Sequence, residues 1–269
     1  MVVPIKIDQP HLVPNNLLKE LTMLGLPNSS HNNRITDIRS ASLSIKKRLK
    51  ASITVTMVLV NYPSAALVEH VALLGFDIAF IDCEKGIATT EHIESMCRGA
   101  RAAGIATVVR PWSDDPGLIS RYLDIGADGV MVAGIDTPEA AQKLVDIVQY
   151  ARWKDHPNKL IFAMIESPTA IDRLPELLAV QGIDVWFIGI NDLAHRMGFP
   201  GGADLPEVRK VVLRTLSAIR DAGRVGGVVV SGANVTEFHD AGARLLMTRT
   251  SDLLSKGAAL FHSLLPGGK

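Results

Sequence analysis

The feature that most constrains the fold of this 269-residue sequence is a regular alternation of short apolar segments with amphipathic ones, from Ile53 to Leu264. The apolar segments are short and rich in aliphatic and aromatic residues, which is typical of buried parallel strands. The amphipathic segments have helical spacing, and several carry a proline in the first turn, where its missing N–H costs nothing. Eight strands that alternate with eight helices predict a (β/α)8 TIM barrel of the α/β class.

Glycines mark the boundaries of this pattern, because a glycine often ends a helix in the left-handed conformation. The glycines that follow predicted helices are Gly75, Gly104, Gly126, Gly182, Gly223 and Gly242. The predicted strands are Ile53–Val60, Ile78–Ile81, Thr107–Arg110, Gly129–Val132, Leu160–Ile165, Val185–Ile188, Val225–Val230 and Leu245–Met247. The predicted helices are Ser64–Leu74, Thr90–Ala103, Pro116–Asp124, Pro138–Ala151, Pro168–Val180, Pro206–Ala222, Val235–Ala241 and Leu253–Leu264, with a basic helix before them at Ser42–Lys50. A doubly wound open sheet is the alternative, but no G-x-G-x-x-G follows a predicted strand.

The first 40 residues differ from the rest of the chain. They are punctuated by prolines and contain clusters of asparagine and serine. We therefore expect an irregular N-terminal extension over residues 1–40, followed by one barrel domain over residues 41–269.

Composition limits the classes of function. The hydrophobic content of 47% suffices for one large core, and 28 basic and 28 acidic residues give no net charge, which argues against a nucleic-acid partner. No apolar run is long enough to cross a membrane, and no signal peptide is expected. The two cysteines match no zinc pattern and fit the reducing cytoplasm.

Two acids follow buried strands at positions that predict a metal site. Glu166 comes directly after Leu160–Ile165, and Asp192 comes shortly after Val185–Ile188. The carboxyl ends of parallel strands meet at one rim, where barrel enzymes bind their ligands. A divalent cation such as Mg²⁺ or Mn²⁺ would hold the two carboxylates together. The alternative is that both acids cap the helices that follow them.

Further polar residues follow the second and third strands. Arg110 ends the third strand, and its planar guanidinium suits the carboxylate or carbonyl of a 2-oxo acid, although a salt bridge to Asp82 or Glu84 is the alternative. Lys85 admits three interpretations: a general base, a Schiff-base lysine or a solvated charge. Because it follows two acids and precedes a glycine, we favour a charged, exposed lysine.

Several of these segments together resemble the HpcH/HpaI aldolases, the class II pyruvate-dependent family akin to the citrate lyase β-subunit. The similar segments are G-F-D at residues 75–77, I-D-C-E-K at 81–85, V-V-R-P at 108–111, L-D-I-G-A-D-G at 123–129, A-M-I-E at 163–166 and F-I-G-I-N-D-L at 187–193. They occur in the family's order and spacing, between about Ser44 and Leu265.

The resemblance implies specific roles for rim residues. Glu166 and Asp192 would bind the divalent metal, Arg110 would contact the pyruvyl carbonyl, and Glu84 would orient a water at the metal. The backbone from Gly189 through Ile190 and Asn191 to Asp192 would hold the substrate carboxylate. The family's catalytic histidine, which pairs with the residue equivalent to Asp82, is replaced by Lys85 in this chain. The resemblance also implies a long loop before the fifth strand, which reaches toward a neighbouring subunit. This chain lacks it, which predicts a more open site or one that the N-terminal extension covers instead.

We therefore predict a metal-dependent carbon–carbon lyase or condensing enzyme that acts on a 2-oxo acid, pyruvate or an oxaloacetate-like compound, through an enolate. The altered base makes a biosynthetic condensation one version of this prediction. The alternative is a non-catalytic or regulatory barrel that binds a small acid. The apolar helix Leu253–Leu264, with the oligomeric nature of the family, predicts a homo-oligomer, a trimer or a hexamer.

Overall fold

A computed structural model of the protein describes residues 41–266. Eight parallel strands close into a barrel in the order β1 to β8, and each strand pairs with its neighbours in sequence. The strands are β1 Val55–Leu59, β2 Ile78–Asp82, β3 Ala106–Arg110, β4 Gly129–Val132, β5 Leu160–Ile165, β6 Val185–Ile188, β7 Gly226–Val229 and β8 Ala243–Arg249. The predicted (β/α)8 barrel is confirmed. The expected N-terminal extension lies outside the described residues.

Helices connect the strands around the barrel. They are α1 Ala41–Lys50, α2 Ala65–Leu73, α3 Thr90–Ala103, α4 Pro116–Asp124, α5 Pro138–Ala151, α6 Pro168–Asp172, α7 Leu174–Ala179, α8 Ile190–Arg196, α9 Pro206–Asp221, α10 Val235–Ala241 and α11 Thr250–Ser263, with a short 3₁₀ turn at His156–Asn158. Four of the helices match the predicted bounds at both ends: α3, α4, α5 and α10.

Two sets of apolar residues on alternate faces of the strands form the core. One set faces the barrel interior and includes Phe80, Val108, Met164 and Phe187. Helix α1 closes the amino-terminal end of the barrel, since its Ile45 and Leu49 join this interior cluster. The other set faces outward and packs against the surrounding helices. The barrel is thus a packed core, with polar side chains at the ends of its strands.

A repeated hydrogen bond organises the amino-terminal rim. Asp77, Asp128 and Asp184, which precede β2, β4 and β6, accept hydrogen bonds from the N–H groups at the starts of β1, β3 and β5. Each carboxylate thus satisfies a strand N–H that has no partner in the ladder. Each of these aspartates thus links two neighbouring strands.

One local prediction was wrong. The expected single helix over residues 168–180 breaks at Arg173 into α6 and α7, because Pro175 has no N–H to donate and its ring disfavours a continuous helix. The short helix α8 after Gly189 is an element that the predicted helices did not include.

The connection between α5 and β5 leads into the amino-terminal end of β5, opposite the rim that carries Glu166. The expectation of a more open site after loss of the family loop stays a prediction.

Candidate active site

Strand alternation carries polar side chains from the barrel interior to the carboxyl-end rim. Successive residues of a strand point to opposite faces, so every second residue shares a face. Asp82 lies two residues after the interior Phe80, Arg110 two after Val108, and Glu166 two after Met164. All three of these polar residues are buried, and together they form the floor of a polar cleft.

Arg110 is held by two carboxylates. It is the direct register partner of Asp82 on the neighbouring strand. Its Nε donates to Asp82 Oδ1 at 2.9 Å and its Nη2 donates to Asp82 Oδ2 at 2.6 Å, while Nη1 lies 2.6 Å from Glu84 Oε2. Arg110 therefore forms the salt bridges to Asp82 and Glu84 that the sequence offered as an alternative. A bidentate pair fixes the plane of the guanidinium and presents its Nη1 edge toward the cleft.

Asp82 also shapes the loop after β2. Its Oδ1 accepts hydrogen bonds from the backbone N–H groups of Glu84 and Lys85, at 3.0 and 3.2 Å. Gly86 closes this turn, because a Cβ there would lie 2.1 Å from the carbonyl oxygen of Asp82. Burial raises the pKa of Asp82, but its hydrogen bonds to Arg110 and the arginine charge outweigh burial, so the net shift of the pKa is downward. Asp82 therefore stays ionised and orients both Arg110 and the loop.

Glu166 is a buried carboxylate with an unsatisfied oxygen. Its Oε2 has no hydrogen-bond partner among the described residues, and its Oε1 lies 3.7 Å from Nη2 of Arg196. Burial raises the pKa of Glu166, the charge of Asp192 raises it further, and Arg196 partly offsets the shift. The helix that follows is capped by the side chain of Ser167, so the alternative of Glu166 as a helix cap was wrong. An unsatisfied buried carboxylate oxygen calls for a cation.

Asp192 lies in the first turn of α8, whose N-cap is Gly189. Its Oδ2 pairs with Nζ of Lys85 at 2.7 Å, and both side chains are partly exposed. The prediction of a charged, exposed Lys85 agrees with this position. A side chain on Gly189 would not fit, because its Cβ would lie 2.8 Å from Glu166 Oε2. Gly189 thus allows α8 to begin directly beside the glutamate.

These groups border a cleft of about 250 Å³ at the carboxyl-end rim. Its lining residues are Leu59, Asn61, Phe80, Asp82, Lys85, Arg110, Met164, Phe187, Gly189, Ile190, Asn191, Asp192, Val229, Met247 and Arg249. The structure therefore brings together at one rim every residue that the sequence predicted for the site. Glu84 and Glu166 adjoin the cleft through their contacts with Arg110 and Gly189.

Several residues of the rim were not predicted. Arg196 lies between Glu166 and Asp136, with its Nη1 3.5 Å from Asp136 Oδ2. Asp136 in turn accepts a hydrogen bond of 2.6 Å from the Ser167 hydroxyl. Asn61 follows β1 and accepts hydrogen bonds from the start of α11. The position of Asn61 just after a strand was a usable signal, whereas Arg196 is placed by a helix that the sequence did not indicate.

Cys83 is not equipped for nucleophilic chemistry. Burial raises the pKa of its thiol to about 11. The thiolate, which is the reactive form, is therefore scarce near neutral pH. Cys83 therefore fills space at the rim, where it is buried.

The donors near Glu166 fit a hard divalent cation that is only partly coordinated by protein. Within residues 41–266, no group of three or more histidine, cysteine, aspartate or glutamate side chains is arranged to hold a metal. Mg²⁺ usually takes one or two carboxylates and completes its shell with water and substrate oxygens. Glu166, with an unsatisfied oxygen, and Asp192 supply that pair.

Comparison with known proteins agrees with this geometry. The family model described as HpcH/HpaI aldolase/citrate lyase matches residues 55–251, which include all eight strands and the cleft. The chain belongs to the HpcH/HpaI aldolase/citrate lyase family. Its membership supports a carbon–carbon lyase, and the resemblance inferred from the sequence is confirmed.

Individual relatives of known sequence or structure align with most of this chain. The 2-keto-3-deoxy-L-rhamnonate aldolase of Escherichia coli (strain K12) is 28% identical to this chain in an alignment over 249 residues. The alignment covers 81% of this chain and 92% of the relative. The crystal structure of an HpcH/HpaI aldolase from Desulfitobacterium hafniense DCB-2 superposes with a TM-score of 0.73 at 25% identity, over 84% of this chain and 98% of that one. The citrate synthase SbnG has the same fold, with a TM-score of 0.74 at 21% identity over 81% and 96% of the two chains.

The helices give no sign of a membrane-spanning segment. Within residues 41–266, none combines the length and the apolar character that crossing a bilayer requires.

Proposed function

We propose that this family member is a divalent-metal-dependent lyase or condensing enzyme that acts on a 2-oxo acid through an enolate. The observation that carries the proposal is the unsatisfied, buried Oε2 of Glu166 at the same rim as Asp192 and Arg110. One anionic pair for a cation and one arginine are the groups that an enolate requires.

The cation would be Mg²⁺ or Mn²⁺, held by Glu166 and Asp192. When bound, it would polarise the carbonyl of the 2-oxo acid and offset the negative charge of the enolate. The two residues would hold it differently. Glu166 is buried and has a free oxygen, whereas Asp192 must exchange its contact with Lys85.

The substrate carboxylate would bind at the start of α8. The backbone of Gly189, Ile190 and Asn191 lines the cleft beside Asp192. The first N–H groups of a helix have no partner within the helix and are good donors to an anion. This position would leave the carbonyl of the 2-oxo acid directed toward Arg110.

Arg110 would stabilise the carbonyl oxygen as it gains charge. Asp82 and Glu84 would act as positioning residues, since they hold three of the arginine's nitrogen atoms. A donor fixed in advance contributes more than a mobile one, because it need not reorganise during the reaction. Glu84 is also exposed enough to contact water in the cleft.

In the cleavage direction, the bond between C3 and C4 of a 4-hydroxy-2-oxo acid breaks. Its electron pair becomes the C2–C3 double bond of the enolate, the C4 hydroxyl passes its proton to the water that Glu84 would orient, and an aldehyde leaves. Protonation at C3 then gives the 2-oxo acid. Condensation is the reverse, with the enolate carbon attacking the carbonyl of an acceptor.

Lys85 replaces the family's histidine and would act differently. While paired with Asp192 it is an ammonium and has no free lone pair, so it cannot accept the hydroxyl proton. It can donate a hydrogen bond to the oxygen of an acceptor carbonyl, which would stabilise that oxygen equally in bond formation and in cleavage. The replacement therefore supports a changed general base and leaves the direction of the reaction open.

The class of substrate is a proposal that the relatives support. The similar Escherichia coli protein is named for a 2-keto-3-deoxy sugar acid, which is a 2-oxo acid, and SbnG is named a citrate synthase. Pyruvate or an oxaloacetate-like compound is therefore the proposed substrate. A cleft of about 250 Å³ accommodates molecules of this size.

A second candidate function is a non-catalytic barrel that binds a small acid. The observation in its favour is that Arg110 and Asp192 are both occupied by partners of opposite charge. A regulatory barrel would bind the acid but would not exchange its protons.

We also propose that the protein forms a homo-oligomer, either a trimer or a hexamer, and that it is located in the cytoplasm. Helix α11 supports an oligomer, because it exposes apolar side chains along most of its length: Leu253, Leu254, Leu260 and Phe261, with Leu264 directly after it. Apolar side chains clustered on an exposed helix are typical of subunit contacts. Replacing Leu260 and Phe261 with serine should lower the mass measured by sedimentation; an unchanged mass would contradict an interface at α11.

Deuterium exchange at the methyl group of pyruvate tests the proposed function. The purified protein with Mn²⁺ or Mg²⁺ is incubated with pyruvate in D₂O, and the loss of the methyl proton signal is followed by NMR. We expect exchange that stops with a chelator and in Glu166→Ala. Asp146→Ala, at an exposed carboxylate on α5, is the matched control and should exchange like the wild type.

The same measurement separates the two candidate functions. If the wild type binds pyruvate and the metal but exchanges no protons, the binding barrel is favoured and the lyase proposal fails for this substrate. Lys85→His then shows whether a histidine at this position restores exchange.

A further inference from the structure

The contact between Lys85 and Asp192 has a consequence for how the site takes up its cation. We propose that Lys85 is a tethered cation that competes with the divalent ion for Asp192 and so sets the metal affinity of the site. The inference rests on the proposed function, because it assumes that Asp192 is a metal ligand.

Geometry places the competitor directly on the ligand atom. Nζ of Lys85 lies 2.7 Å from Oδ2 of Asp192, and both residues line the same cleft. A metal ion that coordinates this oxygen and an ammonium that hydrogen-bonds to it would require overlapping positions. The lysine must therefore withdraw at least partly when the ion binds.

The two ends of this ion pair differ in freedom. Asp192 is fixed by the first turn of α8, and the backbone of Lys85 is fixed by its hydrogen bond to Asp82. The lysine side chain is 55% exposed, so its flexible four-carbon stem can swing toward solvent. Withdrawal thus needs only side-chain rotation and no change in the barrel.

Charge makes the competition specific to this lysine. A positive charge so close to the carboxylate offsets part of its attraction for another cation, even after the hydrogen bond has been broken. Arg196 contacts Glu166 from the side at 3.7 Å, a longer contact that leaves Oε2 unsatisfied. Lys85 is therefore the charge that most directly opposes the ion among the described residues.

The expected effect is moderate because the pair is partly exposed. Exposed ion pairs contribute little, and the repulsion between like charges near the surface is of similar size. Removing the ammonium removes both the ion pair and the repulsion. Together these two effects correspond to a gain in Mn²⁺ affinity of about tenfold. The larger consequence is that metal binding depends on the substrate. A site with weak affinity for the metal retains it best when a substrate oxygen completes the coordination shell.

Mn²⁺ binding measured by calorimetry or by electron paramagnetic resonance tests the inference without reference to activity. The proteins are the full chain, Lys85→Met and Lys85→Gln, with Lys143→Met as the control. Lys143 forms an equally short ion pair, 2.6 Å from Asp114, at an exposed position outside the cleft. We expect both Lys85 variants to bind Mn²⁺ about tenfold more tightly and the Lys143 variant to bind like the wild type.

Equal or weaker binding by both Lys85 variants would overturn the inference. Glu166→Ala separates this failure from a failure of the proposed function. If Mn²⁺ binds to the wild type and to the Lys85 variants equally, and Glu166→Ala abolishes it, the metal site stands and only the competition is wrong. If neither the wild type nor the Lys85 variants bind Mn²⁺, the proposed metal site and the inference both fail.

Discussion

The two ends of this barrel use charged residues for different purposes. At the amino-terminal rim, the carboxylates are anchored to the backbone: Asp77, Asp128 and Asp184 accept hydrogen bonds from strand N–H groups. Asp77 and Asp184 also pair with the side chains of Arg48 and Lys46. Arginines there donate to carbonyl groups at helix ends, as Arg224 does to Leu178. These contacts join one element to the next and stabilise the fold.

At the carboxyl-end rim, charges pair mainly with other side chains. Arg110 is held by Asp82 and Glu84, and Lys85 pairs with Asp192, while one oxygen of Glu166 has no partner among residues 41–266. Such a rim is costly for stability and useful for binding, because its charges can be redirected to a ligand. The difference teaches that charge alone does not identify an active site. A carboxylate anchored to strand N–H groups is structural, whereas a buried carboxylate oxygen without a partner marks the candidate site.

The largest effect is expected at Glu166. Glu166→Gln keeps the size of the side chain but removes the charge that a cation needs, so pyruvate exchange should fall by about 10²–10³-fold, similar to the loss of one electrostatic catalytic group. Stability should not fall, since a buried carboxylate near Asp192 is replaced by a neutral group. Exchange rates and urea unfolding measure both. A large loss of stability would place Glu166 with the structural charges instead.

The opposite pattern is expected at Asp77, on the amino-terminal rim. Asp77→Ala removes the acceptor for the N–H and hydroxyl of Thr56 and for Arg48. Leaving such groups unpaired should lower the free energy of unfolding by about 2–4 kcal/mol. Urea unfolding measures the loss, and exchange per folded molecule should be unchanged. An unchanged free energy of unfolding in Asp77→Ala would contradict a structural role for the charges at the amino-terminal rim.

Gly189→Ala is expected to strain the boundary between β6 and α8. The added Cβ would lie 2.8 Å from Glu166 Oε2 and 3.1 Å from Met164 Sδ. Overpacking of this kind costs about 1–3 kcal/mol and should displace the glutamate. We expect weaker Mn²⁺ binding together with a lower melting temperature. Unchanged Mn²⁺ affinity would show that the position of Glu166 does not depend on Gly189.

The smallest effect is expected at Arg244, again on the amino-terminal rim. Its Nη1 donates to the carbonyl oxygens of His239 and Ala243 near the end of α10. Arg244→Gln should lower the free energy of unfolding by about 1 kcal/mol, the typical contribution of a hydrogen bond. Mn²⁺ binding should not change. A change in metal affinity with normal stability would contradict a purely structural role.

The sequence was sufficient to predict the barrel and which residues lie together at its carboxyl-end rim. The apolar segments of the sequence show where each strand ends. Since the carboxyl ends of parallel strands meet at one rim, Asp82, Arg110 and Glu166 are assigned to that rim. These residues needed no knowledge of distant contacts, because each lies at or next to the end of its own strand.

The contacts among the rim residues were less predictable. The pair between Lys85 and Asp192 joins residues 107 positions apart and depends on helix α8, which was not among the predicted helices. Arg196 reaches Glu166 from the same helix. The segment after Gly189 is short and lacks a capping side chain, so neither helical periodicity nor a cap indicated it.

The most direct test of the central claim is a crystal structure grown with Mn²⁺ and pyruvate, with the metal located by its anomalous scattering. We expect one peak between the carboxylates of Glu166 and Asp192, with Lys85 withdrawn from Asp192 and a pyruvate oxygen on the same ion. Mn²⁺ bound elsewhere, with Lys85 still paired to Asp192, would contradict the claim that the unsatisfied carboxylate at this rim is a metal ligand.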